Sequence, residues 1–183
     1  MNGEVALEKY SEVIGLPVIC AEDGRKLGTV KDVIFCPGAR SVKAFLLERK
    51  SYEIGKRVVF FEKVLSLGRD AVIVDDCSCV TALKKGEYAA QFKDQGRITG
   101  LRVYSKKGED FGIVKDVLFD HRTGAIEGVE VSDGLLQDIY RGRNILPLFG
   151  KVEFSEDNIL VGEESVEEMM NTGGGIRRKL LEG

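Results

Sequence analysis

The sequence predicts a mainly β protein made of two tandem small β-barrels, each closed by a short helix. The first reason is an internal repeat: residues 28–35 read Gly-Thr-Val-Lys-Asp-Val-Ile-Phe, and residues 112–119 read Gly-Ile-Val-Lys-Asp-Val-Leu-Phe. Six of the eight positions are identical, which indicates a duplication. The second reason is that short runs rich in valine and isoleucine follow each copy between turns, as in small all-β domains.

The duplication extends far beyond these eight residues. Gly24 matches Gly108 at an offset of 84 positions, and the offset becomes 87 after three additional residues enter the second copy. Both glycines fall in turns, where a positive φ favours glycine. We therefore predict a first repeat at 14–86, a second repeat at 98–172 and a flexible C-terminal tail at 173–183.

The central strand of each copy departs from strict alternation in the same way. Val30 and Val33 are three residues apart across Lys31 and Asp32, so a regular strand would direct one of the two valines into solvent. A β-bulge at the Lys-Asp pair removes this conflict, because two residues then oppose one and the strand bends as a small barrel requires. The bulge predicts six core side chains: Val30, Val33, Phe35, Val114, Val117 and Phe119.

The other elements follow from apolar runs between turns. We predict a short helical lead-in at 1–13, before the first repeat. Within the first repeat we predict strands at 16–20, 27–35, 42–47, 58–61, 64–67 and 71–74. In the second repeat the later strands are expected at 126–131, 145–148, 152–154 and 159–161. A helical turn is predicted at 78–83, ending at Gly86, and residues 87–97 are expected to form a short connector with some helical character. Ser165 is predicted to cap a second helix, with Val166, Met169 and Met170 on one face.

Composition places the chain among ordinary globular proteins, with 43% hydrophobic and 31% charged residues. No apolar run reaches the roughly 18 residues of a membrane span, so we expect a cytoplasmic protein without such a span. The net charge of −3 is unevenly divided: residues 14–86 hold 13 Lys and Arg against 9 Asp and Glu, and residues 98–172 hold 8 against 15. Such opposite fields could select different partners.

An ordered set of motifs runs through both repeats. It consists of a turn glycine, Gly-x-Val-Lys-Asp-Val-x-Phe, a strand such as 42–47 and, in the second copy, Ile-Leu-Pro-Leu-Phe at 145–149 before a valine-rich hairpin. This order resembles the PRC-barrel domain, the small β-barrel found in the photosynthetic reaction-centre H subunit and at the C-terminus of the bacterial ribosome maturation factor. The resemblance covers both repeats and implies a PRC-barrel-like fold for each.

These features favour a non-catalytic binding module or adaptor for an unidentified protein partner, with a homo-oligomer as a further arrangement. The alternative is an RNA-processing or ribosome-assembly factor that binds a ribosomal protein or RNA through the basic first repeat. Few aromatic residues accompany the cations, which disfavours a surface for single-stranded RNA. The candidate binding residues are Arg40, Lys43, Arg49, Lys50, Lys56, Arg57, Tyr140, Arg141 and Arg143.

The sequence predicts no catalytic or metal site. His121 is the one histidine, and no positioned partner for acid–base chemistry is suggested. Asp32 and Asp116 belong, with Gly28 and Gly112, to the structural motif, in which each carboxylate is expected to bond a nearby backbone amide. The four cysteines are expected to be reduced, and their predicted places do not converge, so neither zinc nor another cofactor is expected. They are Cys20, Cys36, Cys77 and Cys79.

Overall fold

The computed structural model describes residues 6–51, 54–132 and 145–171, and it confirms a mainly β fold with two tandem barrel-like sheets. The tail predicted at 173–183 lies outside these residues. The chain divides into two compact units. The first unit comprises 10–96 with 121–124, and the second comprises the described parts of 1–9, 97–120 and 125–183.

Strands are numbered in chain order through both units, and β1 (Leu7–Lys9) belongs to the second. The first unit contains β2 (Pro17–Cys20), β3 (Lys26–Cys36), β4 (Ser41–Leu47), β5 (Lys56–Phe60), β6 (Val64–Leu67), β7 (Val72–Val74) and β8 (Val80–Leu83), with helices α1 (Tyr10–Val13) and α2 (Lys85–Gln91). Its sheet has the order β6-β7-β2-β3-β4-β5-β8. Only β2 and β7 pair in parallel among these neighbours of the described sheet.

The second unit repeats most of this plan. It contains β9 (Arg102–Ser105), β10 (Asp110–Asp120), β11 (Ile126–Ser132), β12 (Ile145–Pro147), β13 (Val152–Phe154), β14 (Asn158–Val161) and helix α3 (Glu163–Asn171). The sheet order is β12-β11-β10-β9-β14-β13, with β1 paired to β10. The parallel pair β9–β14 corresponds to β2–β7 of the first unit.

Three β-bulges occur at equivalent places in the two units. At each, the register of an antiparallel pair shifts by one residue, so that one residue of the longer segment has no opposite partner. The predicted Lys-Asp bulge is therefore present in both copies and is accompanied in each by two further bulges at equivalent places. The skipped residues are Leu27, Lys31 and Lys43 in the first unit, and Phe111, Lys115 and Glu127 in the second. The first unit has another register shift between β6 and β7, at Leu65.

The aspartate of each Lys-Asp pair accepts a hydrogen bond from the backbone beside its bulge. The Oδ1 atom of Asp32 accepts a hydrogen bond from the Val33 backbone N–H at 2.8 Å, and the Oδ1 atom of Asp116 accepts one from Val117 at 2.9 Å. Each carboxylate thus bonds a backbone amide beside its bulge, as the sequence predicted for this motif. Asp32 is exposed whereas Asp116 is buried.

The six side chains that the bulges were predicted to direct inward are all buried. The largest exposed fraction among them is 5%, so the core prediction is confirmed. Phe119 is completely buried in the second unit, and Phe35 of the first unit contacts Tyr10 with ring centroids 5.8 Å apart. The bend at each Lys-Asp pair therefore converts an irregular sequence spacing into a continuous apolar interior.

The first helix was predicted in the wrong place. Residues 80–83 form strand β8, which pairs with β5, and the helix begins only at Lys85, so Gly86 lies inside it and does not end it. The free edge of β5 provides hydrogen-bond partners that a local helical pattern cannot anticipate. Helix α2 then packs on the sheet through one apolar cluster of Ile34, Ala44, Val58, Tyr88 and Phe92.

The prediction for the second helix was also partly wrong. Helix α3 begins at Glu163, so Ser165 is not its N-cap. The Ser165 hydroxyl is buried and instead lies 3.1 Å from both the backbone N and the backbone O of Phe149. Met169 is buried but Met170 is 56% exposed, so the two methionines do not share an inward face.

The lead-in at 1–13 is only partly helical in its described residues. Strand β1 precedes the single turn α1 and pairs with the last part of β10, from Leu118 to Asp120. In the first unit the corresponding end of β3 also has a partner from outside the hairpin. The backbone N–H of Gly96 donates a hydrogen bond to the Phe35 carbonyl at 3.1 Å. The ends of the long bent strands thus take partners that lie outside the local hairpin.

Replacing Phe35 or Phe119 by alanine is expected to lower the free energy of unfolding by about 3–5 kcal/mol, because each change leaves a cavity in a core. Chemical denaturation of the full chain measures this difference. Phe149→Ala is the control, since this ring is 41% exposed and its loss is expected to cost far less. An unchanged unfolding midpoint for both core variants would contradict the core assignment.

The two bulge aspartates provide a matched pair of variants. Asp116→Ala is expected to lower the free energy of unfolding by about 1–3 kcal/mol, because it leaves the buried Val117 N–H without its carboxylate acceptor. Asp32→Ala removes the equivalent part-buried bond and the exposed bond that the same oxygen accepts from the Tyr10 hydroxyl at 3.0 Å. Because Asp32 itself is exposed, water competes for both bonds, so the effect is expected to be smaller. Equal losses in denaturant unfolding would show that burial does not control the contribution of this bond.

Candidate functional site

The first unit contains a cavity of about 650 Å³ beside strand β4. Its lining combines cationic, hydroxyl, amide, carboxyl and aromatic groups, and every lining residue belongs to this unit. We call it the Lys43 cavity. It is lined by Ser41, Val42, Lys43, Phe60, Phe61, Glu62, Val64, Gln91, Arg122 and Thr123.

A β-bulge presents the lysine after which the cavity is named. Phe35 pairs with Val42 and Ile34 with Ala44, so Lys43 between them has no opposite residue. Its side chain is exposed while Val42 and Ala44 on either side are buried. Lys43 is thus a solvent-facing cation on a rigid sheet.

Two phenylalanines at the end of β5 form the apolar wall and are themselves held by aromatic contacts. Phe60 stacks on Phe92, which directly follows α2, with ring centroids 5.8 Å apart and an interplanar angle of 25°. Phe61 meets Phe45 edge to face at 5.9 Å and 73°. Such packing restricts rotamers, so this wall is preorganised.

The turn at 121–124 provides the remaining wall. The Gly124 carbonyl accepts a hydrogen bond from the Val42 backbone N–H at 2.8 Å, which fixes the turn at the start of β4. Gly124 has φ +73°, and a Cβ atom there would lie 2.9 Å from the Phe61 ring. Glycine is therefore required both by backbone conformation and by close approach. Arg122 and Thr123 of the same turn line the cavity.

A smaller cavity of about 140 Å³ shares Ser41, Lys43 and Gln91 with the first. Its other walls include the buried rings of Phe35 and Phe92. The shared residues show that Lys43 borders both a polar compartment and a more apolar one. This arrangement is suited to binding an anionic group that has an apolar neighbour.

The cationic side chains predicted to bind a partner in the first unit have different contacts in the structure. Lys43 lines the cavity, whereas the Lys56 ammonium lies 3.8 Å from the centroid of the Tyr88 ring, a cation–π contact. Arg57 is half-buried and donates to the Leu27 carbonyl at 2.6 Å. Lys56 and Arg57 therefore have contacts that support the unit itself.

The other candidate binding residues are more dispersed. Arg40 has φ 48° at the turn before β4 and donates its backbone N–H to the Pro37 carbonyl at 3.0 Å. Arg49 and Lys50 are exposed just after β4. The second predicted group lies outside the described residues: Tyr140, Arg141 and Arg143. A binding role for any of these residues stays a prediction.

Glycine is favoured at positions 28 and 112 of the repeated motif for different reasons. A Cβ atom at Gly28 would lie 2.9 Å from Cδ1 of Leu47, so close packing explains this glycine. Gly112 has φ +94°, and its backbone N–H donates to Oδ1 of Asp110 at 2.8 Å. This bond, with the Arg102 guanidinium at 2.5 Å, holds the pKa of Asp110 below its ordinary value. Both glycines thus act in the fold.

The four cysteines are free thiols. Cys20 is buried, and this burial raises the pKa of its thiol, whereas Cys77 is exposed. Within the described part of the chain, no group of three or more His, Cys, Asp and Glu side chains could hold a metal ion. The expectation of no metal stays a prediction. None of the helices in the described ranges is both long and apolar enough to cross a membrane.

Sequence reasoning missed Arg122, Gln91 and Glu62 as companions of Lys43. Arg122 lies in a turn of the second repeat, and Gln91 is the last residue of helix α2. No local motif connects these positions, because only the folded unit brings them together. The basic character of the region around Lys43 was the single available signal.

Gly124→Ala is expected to destabilise the protein more than Gly24→Ala, by about 1–3 kcal/mol. Both glycines have similar positive φ values, +73° and +72°, but nothing lies within 4 Å of a Cβ atom at Gly24. The difference between the two variants in thermal unfolding therefore isolates the contact with Phe61. Equal destabilisation would contradict tight packing of the turn at this wall.

Comparison with known proteins agrees with the architecture. The family model of the PRC-barrel domain matches residues 7–77 and again residues 93–163. No curated protein matches the chain. Because the two matches together span well over half of the 183 residues, the chain belongs to the PRC-barrel family and carries two copies of its domain in tandem.

Proposed function

We propose that this protein is a non-catalytic adaptor that acts in the cytoplasm by binding a protein partner through its first unit. PRC-barrel domains are generally interaction modules. The observation that carries the proposal is the Lys43 cavity, whose lining joins two cations to hydroxyl, amide and aromatic groups. Aromatic residues and arginine are enriched at protein interfaces, where they provide most of the binding energy.

The rigidity of the cavity supports this function. Lys43 stands on a sheet, and Phe60 and Phe61 are packed by other rings. A preorganised surface loses little conformational entropy on association, so more of the contact energy appears as affinity. The excess of cations in residues 14–86 and of acids in residues 98–172 adds electrostatic selectivity for a partner.

The alternative function is an RNA-processing or ribosome-assembly factor. The observation in its favour is the same excess of Lys and Arg in residues 14–86, which could neutralise phosphates. Against it, Lys56 is engaged by Tyr88, and Arg57 by the Leu27 carbonyl, so these two cations contribute less to an open basic surface. A second copy of the chain is a further candidate partner.

Affinity capture with the tagged full chain, performed with and without nuclease, tests the adaptor function. We expect one protein to be captured in both conditions, because contacts with a protein do not depend on RNA. The captured protein is then purified, and its binding to the full chain is measured by calorimetry to obtain stoichiometry and affinity.

Titration of labelled ribosomal RNA with the full chain at two salt concentrations is the matching control. RNA binding through phosphates weakens steeply as salt rises, because counterions are released. Sub-micromolar, sequence-selective RNA binding, together with loss of protein capture after nuclease, would overturn the adaptor function in favour of the alternative. Size-exclusion chromatography with light scattering measures self-association in the same preparations.

A further inference from the structure

We infer that the Lys43 cavity binds an acidic segment of the protein partner, with carboxylates paired to Lys43 and Arg122 and an adjacent apolar side chain in the smaller cavity. This inference rests on the proposed adaptor function, since it specifies the partner chemistry of the same site. It follows from the charge of the lining, the division into two compartments and a comparison with the second unit.

The ionisable lining of the larger cavity favours an anion. It consists of two cations, Lys43 and Arg122, and one carboxylate, Glu62, which leaves one net positive charge. An arginine can bind a carboxylate with two parallel hydrogen bonds, and a lysine adds a point charge beside it. Ser41 and Thr123 provide hydroxyl groups that can complete the coordination of carboxylate oxygens.

The smaller cavity favours an apolar side chain next to the carboxylate in the partner's acidic segment. It adjoins the larger one at Lys43, and the buried Phe35 and Phe92 rings form part of its wall. A space of roughly 150 Å³ accommodates a benzene-sized group, so about 140 Å³ is enough for one branched aliphatic side chain. Asp94 also borders this space and repels a second carboxylate. The acidic group is therefore directed to the larger cavity and the apolar group to the smaller.

The aromatic residues favour a peptide over a single-stranded nucleic acid. Proteins that bind single strands stack successive bases on accessible ring faces. Here Phe60 is stacked on Phe92, while Phe61 packs against Phe45 and approaches Gly124, so these rings are already engaged. Their edges can contact an aliphatic side chain, but they do not form a row of open stacking platforms.

The second unit has the opposite charge at the position equivalent to Lys43. The residue at the bulge equivalent to Lys43 is Glu127, so the same backbone device carries the opposite charge. This comparison also supplies a variant, because Lys43→Glu places in the first unit the residue type that the second unit already has at this bulge. The exchange is therefore expected to preserve the fold while it repels an acidic segment.

Fluorescence anisotropy with the full-length protein tests the inference. The probes are labelled peptides of four Glu-Glu-Leu repeats, of four Gln-Gln-Leu repeats and of four Glu-Glu-Ser repeats. We expect the first peptide to bind about tenfold more tightly than either of the others, because it alone combines carboxylates with an aliphatic side chain. Higher salt is expected to weaken its binding, as for other exposed charge pairs.

Variants assign the binding to the cavity. Lys43→Glu and Arg122→Gln are each expected to weaken binding of the Glu-Glu-Leu peptide by about tenfold. Arg69→Gln is the matched control, because this arginine side chain is 93% exposed in the turn between β6 and β7 and lies outside the cavity lining. Circular dichroism and thermal unfolding establish that each variant is folded before its affinity is compared.

The outcomes separate this inference from the adaptor function. Binding of the Glu-Glu-Leu peptide that is unchanged by both cavity variants, or no binding of this peptide by the folded wild type, would overturn the acidic-segment inference. Nuclease-resistant capture of a protein would still support the adaptor function in either case. A labelled single-stranded RNA that binds more tightly than the peptide, and loses affinity in Lys43→Glu, would overturn the inference and favour the RNA function.

Discussion

The hydrogen bond that the aspartate of each Lys-Asp pair accepts from the following backbone N–H is the constraint on which both units depend. It holds the long strand in a bulge, and without the bulge Val30 and Val33 could not both face the interior. The bent strand can then pair along its length with different neighbours. Asp116 makes the same bond in a buried setting, so this local contact organises a sheet in each unit.

The bulges also connect the fold to the candidate function. Lys43 lies at a bulge of β4 and lines the cavity, while the flanking Val42 and Ala44 are buried. The equivalent bulge in the second unit carries Glu127. The two copies therefore carry opposite charges at the same bulge position, and charge is one of the properties by which related surfaces distinguish partners.

The candidate site could be predicted only in part. Lys43 was among the predicted binding residues because basic residues cluster around it in the sequence. Lys56 and Arg57 belong to the same cluster, but a tyrosine ring and a backbone carbonyl engage them in the folded unit. Arg122 was missed because it is far away in the sequence. Charge counts do not distinguish these cases, since the contacts that decide them join distant segments.

The sequence by itself determined the duplication, most strands, the Lys-Asp bulges and the six core side chains, because alternation, turn residues and bulge chemistry act between near neighbours. Only the tertiary structure decided that residues 80–83 join β5 as a strand, that Ser165 bonds to Phe149, and that the cavity forms beside β4. In each of these cases the deciding partner is a strand edge, backbone group or turn far along the chain, and its availability depends on the completed fold.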